Sequence, residues 1–248
     1  MCEKCESENR ATGNGSTRRA VLRSLAAAAA TGWILGGGLA RAEAVKKIPK
    51  PQNLVSPGAA LKLLRKGNQR YVEGISRRHD FKHEREALVG GQNPYAAVLS
   101  CADSRIAPEY AFDSGRGDLF VCRVAGNFAN DDTVASIEYA VSVLGVPLIL
   151  VLGHDSCGAV DATIKSIKDG TTLPGHLPSL VTALAPAVKA VSQQKGDLLD
   201  NAIRQNVIDN VAKLKSATPI LSAAVEQKKL RVVGGIYRLK DGEVDMMD

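Results

Sequence analysis

Aromatic residues are scarce in this chain of 248 residues, and their scarcity excludes one class of partner. Phe, Trp and Tyr together make up 4% of the residues, and the single Trp lies at position 33. No basic stretch is interleaved with aromatic side chains, so the chain lacks the combination of base stacking and phosphate binding that marks a nucleic-acid surface. We therefore expect no nucleic acid among its partners.

Cysteines are also few, and their positions argue against a disulfide framework. Cys2 and Cys5 lie near the N-terminus, which leaves Cys101, Cys122 and Cys157 in the rest of the chain. An odd number of cysteines does not form a closed set of disulfides. Cys122 lies inside an apolar run, where it is most simply a small packed hydrophobic residue.

The charge of the chain is mild and its composition is that of an ordinary globular protein. The formal net charge is +6, with 45% hydrophobic and 23% charged residues. These proportions are typical of a soluble domain, and the length suffices for a full hydrophobic core. No internal repeat is present. We predict one domain over 57–248, preceded by a linker over 45–56 that is rich in Lys and Pro.

Residues 1–44 have the pattern of a secretory signal peptide. Arg18 and Arg19 precede a weakly apolar, Ala-rich stretch, and small residues lead to Ala44. The paired arginines resemble a twin-arginine signal, which exports folded proteins. An uncleaved membrane anchor is the alternative, since the segment between Arg23 and Arg41 has about the minimum length of a span. We expect cleavage, no stable membrane span in the mature chain, and a periplasmic or secreted location.

Short apolar runs alternate with helical patterns along the rest of the chain. Strands are predicted over 95–100, 119–124, 147–152 and 230–237. Helices are predicted over 57–91, with a break at Gly67, and in most of the intervals between and after the first three strands. This alternation predicts an α/β fold with a central, mostly parallel β-sheet flanked by helices, N-terminal helices, and a C-terminal helical region and edge strand.

Soft metal-binding side chains follow two of the predicted strands. Cys101 follows the first strand, His154 follows the third, and Cys157 lies three residues after His154. Ligands of open parallel sheets bind beyond the carboxyl ends of the strands. Two thiolates and an imidazole suit zinc and leave its fourth position open for chemistry. The sequence thus predicts a catalytic zinc site, with three unrelated buried residues as the alternative.

Asp103 and Arg105 lie directly beside the first of these cysteines. A carboxylate and a guanidinium manage a proton more readily than they hold a soft metal. They are therefore candidates for an acid–base pair at the zinc site, and an ordinary ion pair that orders a loop is the alternative.

Three ordered motifs resemble the β-class carbonic anhydrases. They are Cys-Ala-Asp-Ser-Arg at 101–105, Gly-Asp-Leu-Phe-Val-x-Arg-x-Ala-Gly-Asn at 117–127 and Gly-His-x-x-Cys-Gly-Ala at 153–159, within a resemblance over roughly 57–245. The resemblance implies reversible hydration of carbon dioxide to bicarbonate and a proton, by attack of zinc-bound hydroxide. It also implies a homodimer or higher homo-oligomer. We expect the 57–91 helices to embrace the partner, because isolated amphipathic helices need a surface to bury against.

The resemblance assigns roles to individual residues. Cys101, His154 and Cys157 become the ligands of one Zn²⁺ per subunit, and Asp103 and Arg105 become the catalytic dyad.

Further positions resemble the plant-like sub-class of the family. Gln92 matches its substrate-binding glutamine, Phe120 and Tyr139 match its pocket aromatics, and the N–H of Gly158 is expected to face the substrate. Tyr71 stands where the sub-class prone to a closed site, with Asp103 on the zinc, carries a tryptophan. Gln92 is equally a candidate loop residue, and the two aromatics are equally candidate core residues.

Two rival functions stay open from the sequence. One is hydrolysis of a CO2 analogue, carbonyl sulfide or carbon disulfide, at the same zinc site. The other is a non-catalytic, zinc-stabilised interaction module, which the Asp103–Arg105 pair disfavours because a structural site needs no proton-managing dyad.

Overall fold

The computed structural model describes residues 55–247, so the predicted signal peptide and nearly all of the predicted linker lie outside the described residues. Within them the chain forms helices and strands in the order α1 (Pro57–Val72), α2 (Phe81–Leu88), β1 (Ala96–Ser100), α3 (Pro108–Ala111), β2 (Leu119–Arg123), α4 (Asp131–Ser142), β3 (Leu148–His154), α5 (Gly158–Asp169), α6 (Pro178–Ala190), α7 (Leu198–Ser216), α8 (Ile220–Glu226), β4 (Arg231–Tyr237) and β5 (Val244–Met247).

The five strands form one sheet in the order β2-β1-β3-β4-β5. The first four strands are parallel, and β5 pairs with β4 in the antiparallel direction. Every residue of β1 and β3 is buried, because both strands are central and both faces of the sheet are covered. The predicted α/β fold with a mostly parallel sheet is confirmed.

Alternate side chains of the central strands enter two hydrophobic clusters. Leu99 and Val151 face one cluster, which is covered by residues of α4 to α8. Val98 and Leu150 face the other, which is covered by α1 and the α3 segment. The sheet therefore lies between two helical layers, and its carboxyl edge is where the loops after β1 and β3 meet.

The first helix runs through Gly67, so the predicted break at this residue is wrong. Pro57 occupies the first turn, and the Ser56 side chain accepts a hydrogen bond from the Ala59 N–H at 3.3 Å, which caps the helix. Gly67 is buried, and a Cβ atom there would collide with the carbonyl oxygen of Phe112. The glycine allows a close approach of α1 to the α3 segment rather than ending the helix.

The strand β5 was not predicted from the sequence. It follows β4 and forms the edge of the sheet. The strand predicted at the edge, over 230–237, is β4, which lies next to the edge strand. The sequence Val-Asp-Met-Met is short and only its first residue is fully buried, and it therefore lacks a continuous apolar run.

Helix α7 lies unusually close to β3 and β4. A Cβ atom on Gly153 would be 2.7 Å from a methyl group of Val207, and one on Gly234 would be 2.6 Å from the other methyl group. The absence of side chains at these two glycines thus leaves space for the Val207 side chain between helix and sheet. One of the two, Gly153, directly precedes His154 at the end of β3.

Within 55–247, no helix has both the length and the apolar character to cross a membrane.

Candidate metal centre

Three buried donors meet at the carboxyl edge of the sheet. Cys101 directly follows β1, His154 is the last residue of the neighbouring strand β3, and Cys157 is the residue before α5. Their ligand atoms all lie within 4.8 Å of one another. The three residues are 3%, 0% and 1% exposed, so the cluster is closed to bulk water on most sides. The predicted convergence of Cys101 with the His154 segment is present.

The imidazole of His154 is oriented for a metal. Its Nδ1 lies 2.8 Å from the carbonyl oxygen of Asp155, and because a carbonyl only accepts, Nδ1 carries the ring proton. Nε2 then presents a lone pair, yet this fully buried atom has no hydrogen-bond partner among residues 55–247. A buried, unsatisfied nitrogen that faces two sulfurs fits a zinc ligand whose second nitrogen is fixed by the backbone.

The two thiols are strongly coupled. The hydrogen bond from Cys157 lowers the pKa of Cys101 to about 4 against the opposing effect of burial, with smaller help from backbone N–H groups that include Gly126. The same hydrogen bond, together with burial and the charge on Cys101, raises the pKa of Cys157 well above its usual range. The pair therefore holds one shared proton tightly. A divalent cation would replace that proton and bind both sulfurs as thiolates.

Asp103 and Arg105 form a bidentate pair beside the cluster. Nε of Arg105 donates to Oδ1 at 2.9 Å, and Nη2 donates to Oδ2 at 2.8 Å. These hydrogen bonds hold the pKa of Asp103 well below its usual range. Oδ2 also lies 3.9 Å from Nε2 of His154. The carboxylate thus borders the metal-binding atoms while it is bound to the guanidinium.

Arg123, at the end of β2, holds the loop that carries the first ligand and the carboxylate. Its Nε donates to the carbonyl oxygen of Cys101 at 2.9 Å, and its Nη2 donates to the carbonyl oxygen of Asp103 at 2.6 Å. Sequence reasoning gave this arginine no role, because its partners are backbone atoms of a distant loop, the one after β1. The sequence signal that could have identified Arg123 was its position inside the second motif, at 117–127.

The predicted substrate contacts divide into two groups. Gly158 begins α5 directly after Cys157 and is exposed, so it borders the cluster. Gln92 is exposed in the loop before β1. Phe120 on β2 and Tyr139 on α4 pack together with ring centroids 6.4 Å apart, and Tyr139 is 48% exposed. Among residues 55–247, no hydrogen bond or ring contact joins the side chains of Gln92, Phe120 and Tyr139 to the three metal-binding residues.

Comparisons with known proteins identify the family of this chain. The family model described as "Carbonic anhydrase" matches residues 96–244. Carbonic anhydrase 2 of Mycobacterium tuberculosis is 41% identical over 194 residues, which cover 78% of this chain and 94% of the relative. The carbonic anhydrase of Mycolicibacterium smegmatis is 39% identical over 192 residues, which cover 77% of this chain and 93% of the relative.

Solved structures share the fold. The β-carbonic anhydrase CcaA has a TM-score of 0.60 and 31% identity, with 77% of this chain and 89% of that chain covered. One of two tetrameric β-carbonic anhydrases from Sordaria macrospora has a TM-score of 0.59 and 23% identity, with 76% and 94% covered. The family match spans more than half of the sequence, and the relatives are covered almost completely. The chain belongs to the β-class carbonic anhydrases.

Proposed function

We propose that this protein catalyses the reversible hydration of carbon dioxide to bicarbonate and a proton, with one Zn²⁺ per subunit held by Cys101, His154 and Cys157. The observation that carries the proposal is a set of three buried N and S donors within 4.8 Å of one another, with an arginine-bound carboxylate at their edge. Three protein ligands leave one position of a tetrahedral ion open to water and substrate.

Two of the three ligands are arranged as zinc requires, and Cys157 has still to release its proton. When bound, zinc lowers the pKa of a ligated water from about 15.7 to about 7 and so makes a nucleophile available near neutral pH. Cys101 already favours its thiolate, and Nδ1 of His154 is engaged with the Asp155 carbonyl oxygen, which leaves Nε2 to face the metal. Two thiolates donate more charge than neutral imidazoles, so we expect activity to favour alkaline conditions.

Asp103 and Arg105 have the properties of an orienting pair. Because Arg105 keeps Asp103 ionised, the carboxylate only accepts hydrogen bonds. We assign it to accept one from the attacking water oxygen and so aim a lone pair at the carbon of CO2. Arg105 also donates to the carbonyl oxygen of Ser156 at 3.3 Å, which ties the pair to the segment between His154 and Cys157.

The substrate side of the site is assigned from the resemblance to the plant-like sub-class. Gly158 would donate its N–H, at the start of α5, to an oxygen of bicarbonate. Gln92, Phe120 and Tyr139 do not reach the cluster within one subunit, so their assignment requires that another subunit bring them to it. Gln92→Ala is then expected to raise KM, and an unchanged KM would remove Gln92 from the site.

An oligomer is supported by the exposed edge of the sheet. The β2 strand is an edge strand whose apolar residues are only partly buried. Tyr139 of the adjacent α4 and Val143, which caps the end of this helix, are 48% and 52% exposed and lie one helical turn apart on the same face. An exposed apolar edge is normally covered, and we propose a second copy of this chain as its cover.

Hydrolysis of carbonyl sulfide or carbon disulfide is the rival function, since the same metal ligands would serve it. Parallel assays of the zinc-loaded protein with CO2 and with carbonyl sulfide separate the two. A carbonyl sulfide rate well above the CO2 rate would favour the rival. Zinc binding with neither activity would favour the interaction module.

The Asp103→Asn variant tests the proposed mechanism. It keeps the size of the side chain but removes its charge, so we expect zinc content to stay at one per chain while kcat falls by about 10² to 10⁴. Stopped-flow CO2 hydration and metal analysis measure both. Asp245→Asn is the matched control, because Asp245 is also paired with an arginine, Arg238, away from the metal cluster. Full turnover in Asp103→Asn would remove this residue from the mechanism.

We also propose export of the folded, zinc-loaded protein through the twin-arginine route, based on residues 1–44. Metal loading before export would protect two oxidisable thiolates in an oxidising compartment. Replacing both Arg18 and Arg19 with Lys should abolish export of the folded protein. Export that survives this change would contradict the route, and a retained N-terminus in the membrane fraction would favour the anchor.

A further inference from the structure

Two buried asparagines on α7 are hydrogen-bonded to the loop that follows β2. Asn206 and Asn210, one helical turn apart, are 3% and 6% exposed. Nδ2 of Asn206 donates to the carbonyl oxygen of Gly126 at 2.8 Å, and Oδ1 of Asn210 accepts from the N–H of Ala129 at 2.7 Å. Nδ2 of Asn210 also donates to Oδ1 of Asn206 at 2.9 Å, so the two amides orient each other. We call these two residues the asparagine relay.

The relay ends at a residue that contacts a proposed zinc ligand. The N–H of Gly126 donates to Sγ of Cys101 at 3.2 Å. Asn206 therefore holds one side of Gly126 while the other side of the same residue faces the sulfur. Gly126 has φ +86°, and a Cβ atom there would be 2.8 Å from Cδ1 of Leu184. The backbone at this point is fixed both by its conformation and by its packing.

The packing of α7 against the β-sheet fixes the position of the asparagine relay relative to the strands. Val207, next to Asn206, occupies the space left by Gly153 and Gly234 on β3 and β4. Gly153 directly precedes His154, so one turn of α7 contacts the strand that carries one proposed ligand and holds the loop that faces another. Movement of this turn would change the geometry around both.

Packing alone does not explain two buried amides at this position. Burying an amide costs free energy unless its hydrogen bonds are made, and an apolar pair would fill the same space but would leave the backbone groups of the loop unpaired. Here the amides satisfy the carbonyl oxygen of Gly126 and the N–H of Ala129. A hydrogen bond to a thiolate stabilises its lone pairs and reduces the charge that it donates to a metal. Groups of this kind around metal ligands change metal affinity by about 10- to 100-fold when they are lost.

We propose that Asn206, supported by Asn210, is a positioning residue that holds the Gly126 N–H on the sulfur of Cys101 and thereby sets how much charge this ligand donates to the bound metal. The proposal rests on the proposed zinc site. It assigns to α7 a part in metal binding although α7 contributes no ligand.

The test is the absorption spectrum of the Co²⁺-substituted protein together with its Zn²⁺ affinity. In Asn206→Ala the Gly126 N–H is released, so the sulfur becomes a stronger donor and the thiolate-to-cobalt charge-transfer band moves to longer wavelength. The same loss leaves Cys101 less firmly positioned for the metal. Because this effect outweighs the stronger donation, we expect Zn²⁺ affinity, measured by chelator competition, to fall about 10- to 100-fold. Asn210→Ala should change both quantities in the same direction by less.

Asn201→Ala is the matched control, because Asn201 is another α7 asparagine whose Nδ2 donates to a backbone carbonyl, that of Lys195, outside the cluster. It should leave both readouts unchanged. If Asn206→Ala does not fold, Asn206→Gln, which keeps an amide at an altered reach, and Asn210→Ala provide the same comparison. A charge-transfer band and a Zn²⁺ affinity equal to those of the wild type in the folded variants would overturn the proposal. Failure of the wild-type protein to bind Co²⁺ or Zn²⁺ would instead overturn the proposed zinc site itself.

Discussion

The protonation of three side chains, those of Cys101, His154 and Cys157, determines how the metal centre binds an ion. The backbone carbonyl of Asp155 fixes the proton of His154 on Nδ1, and the hydrogen bond between Cys101 and Cys157 leaves them one proton to lose. Binding of a divalent cation therefore needs little rearrangement of these side chains and the release of one proton from the thiol pair.

The carboxylate beside the cluster stays charged over the whole working range of pH. Arg105 lowers the pKa of Asp103 in the folded protein, so the stabilising effect of this pair is fully present above the ordinary carboxyl pKa of about 3.9. It is lost only as the pH falls through the lowered pKa of the folded state. The pH dependence of activity near neutrality must come from another group.

Loss of one thiolate should remove the metal. A serine hydroxyl does not ionise near neutral pH and is a poor zinc ligand, so we expect Cys157→Ser to lose its zinc on dialysis and its activity with it. Metal analysis after dialysis is the measurement. Cys122→Ser is the control, since Cys122 is a half-buried cysteine outside the cluster and should retain one zinc per chain. Stoichiometric zinc in Cys157→Ser would contradict the ligand assignment.

The sequence predicted the meeting of the three metal-binding side chains, but it did not predict the residues that support them. Cys101 and His154 were predictable because the first directly follows a buried apolar strand and the second ends one, and such strand ends meet at one edge of a parallel sheet. Arg123 and Asn206 were not, since they act on backbone atoms of distant segments. The identity of a carbonyl partner leaves no pattern in the sequence.

At the scale of helices and strands, the N-terminal helix α1 depends on one close contact. Its buried Asn68 donates to the carbonyl oxygens of Ala111 and Gly242 and accepts from the N–H of Val244. These hydrogen bonds join α1 to the α3 segment and to the β4–β5 connection. They require that the helix approach Phe112 closely, which Gly67 permits.

A single methyl group at Gly67 should therefore destabilise the fold. The Cβ atom of Gly67→Ala meets a backbone oxygen that has no flexible way to move, so we expect a loss of about 1–3 kcal/mol in the free energy of unfolding. Gly58→Ala, in the first turn of the same helix, meets nothing within 4 Å and should be neutral or stabilising by up to about 1 kcal/mol. Denaturant unfolding measures both, and equal stabilities would contradict the close approach.

The sequence predicted strands more reliably where the sheet buries both of their faces. The β1 and β3 strands are continuous apolar runs for this reason. The β5 strand is short and half-buried, and Gly67 is a helix residue whose special requirement comes from another segment. Neither the strand nor the role of the glycine follows from local pattern alone.

At the scale of the whole molecule, the β2 edge predicts self-association. A charge at the centre of the exposed β2–α4 face should weaken an interface formed there. We expect the wild type to sediment as a dimer or larger, and Val143→Glu to shift toward smaller species. Ile167→Glu, at an exposed apolar residue of α5, is the control and should not change the sedimentation coefficient. A wild-type protein that is monomeric at micromolar concentration would contradict this part of the proposal.

The most direct test of the central proposal is stopped-flow CO2 hydration by the zinc-loaded protein as a function of pH. We predict catalysed hydration that increases with pH through an apparent pKa above about 7, because two thiolates make the metal a weaker acid than three imidazoles would. Hydration no faster than the uncatalysed background at alkaline pH, with one zinc bound per chain, would contradict the proposed function.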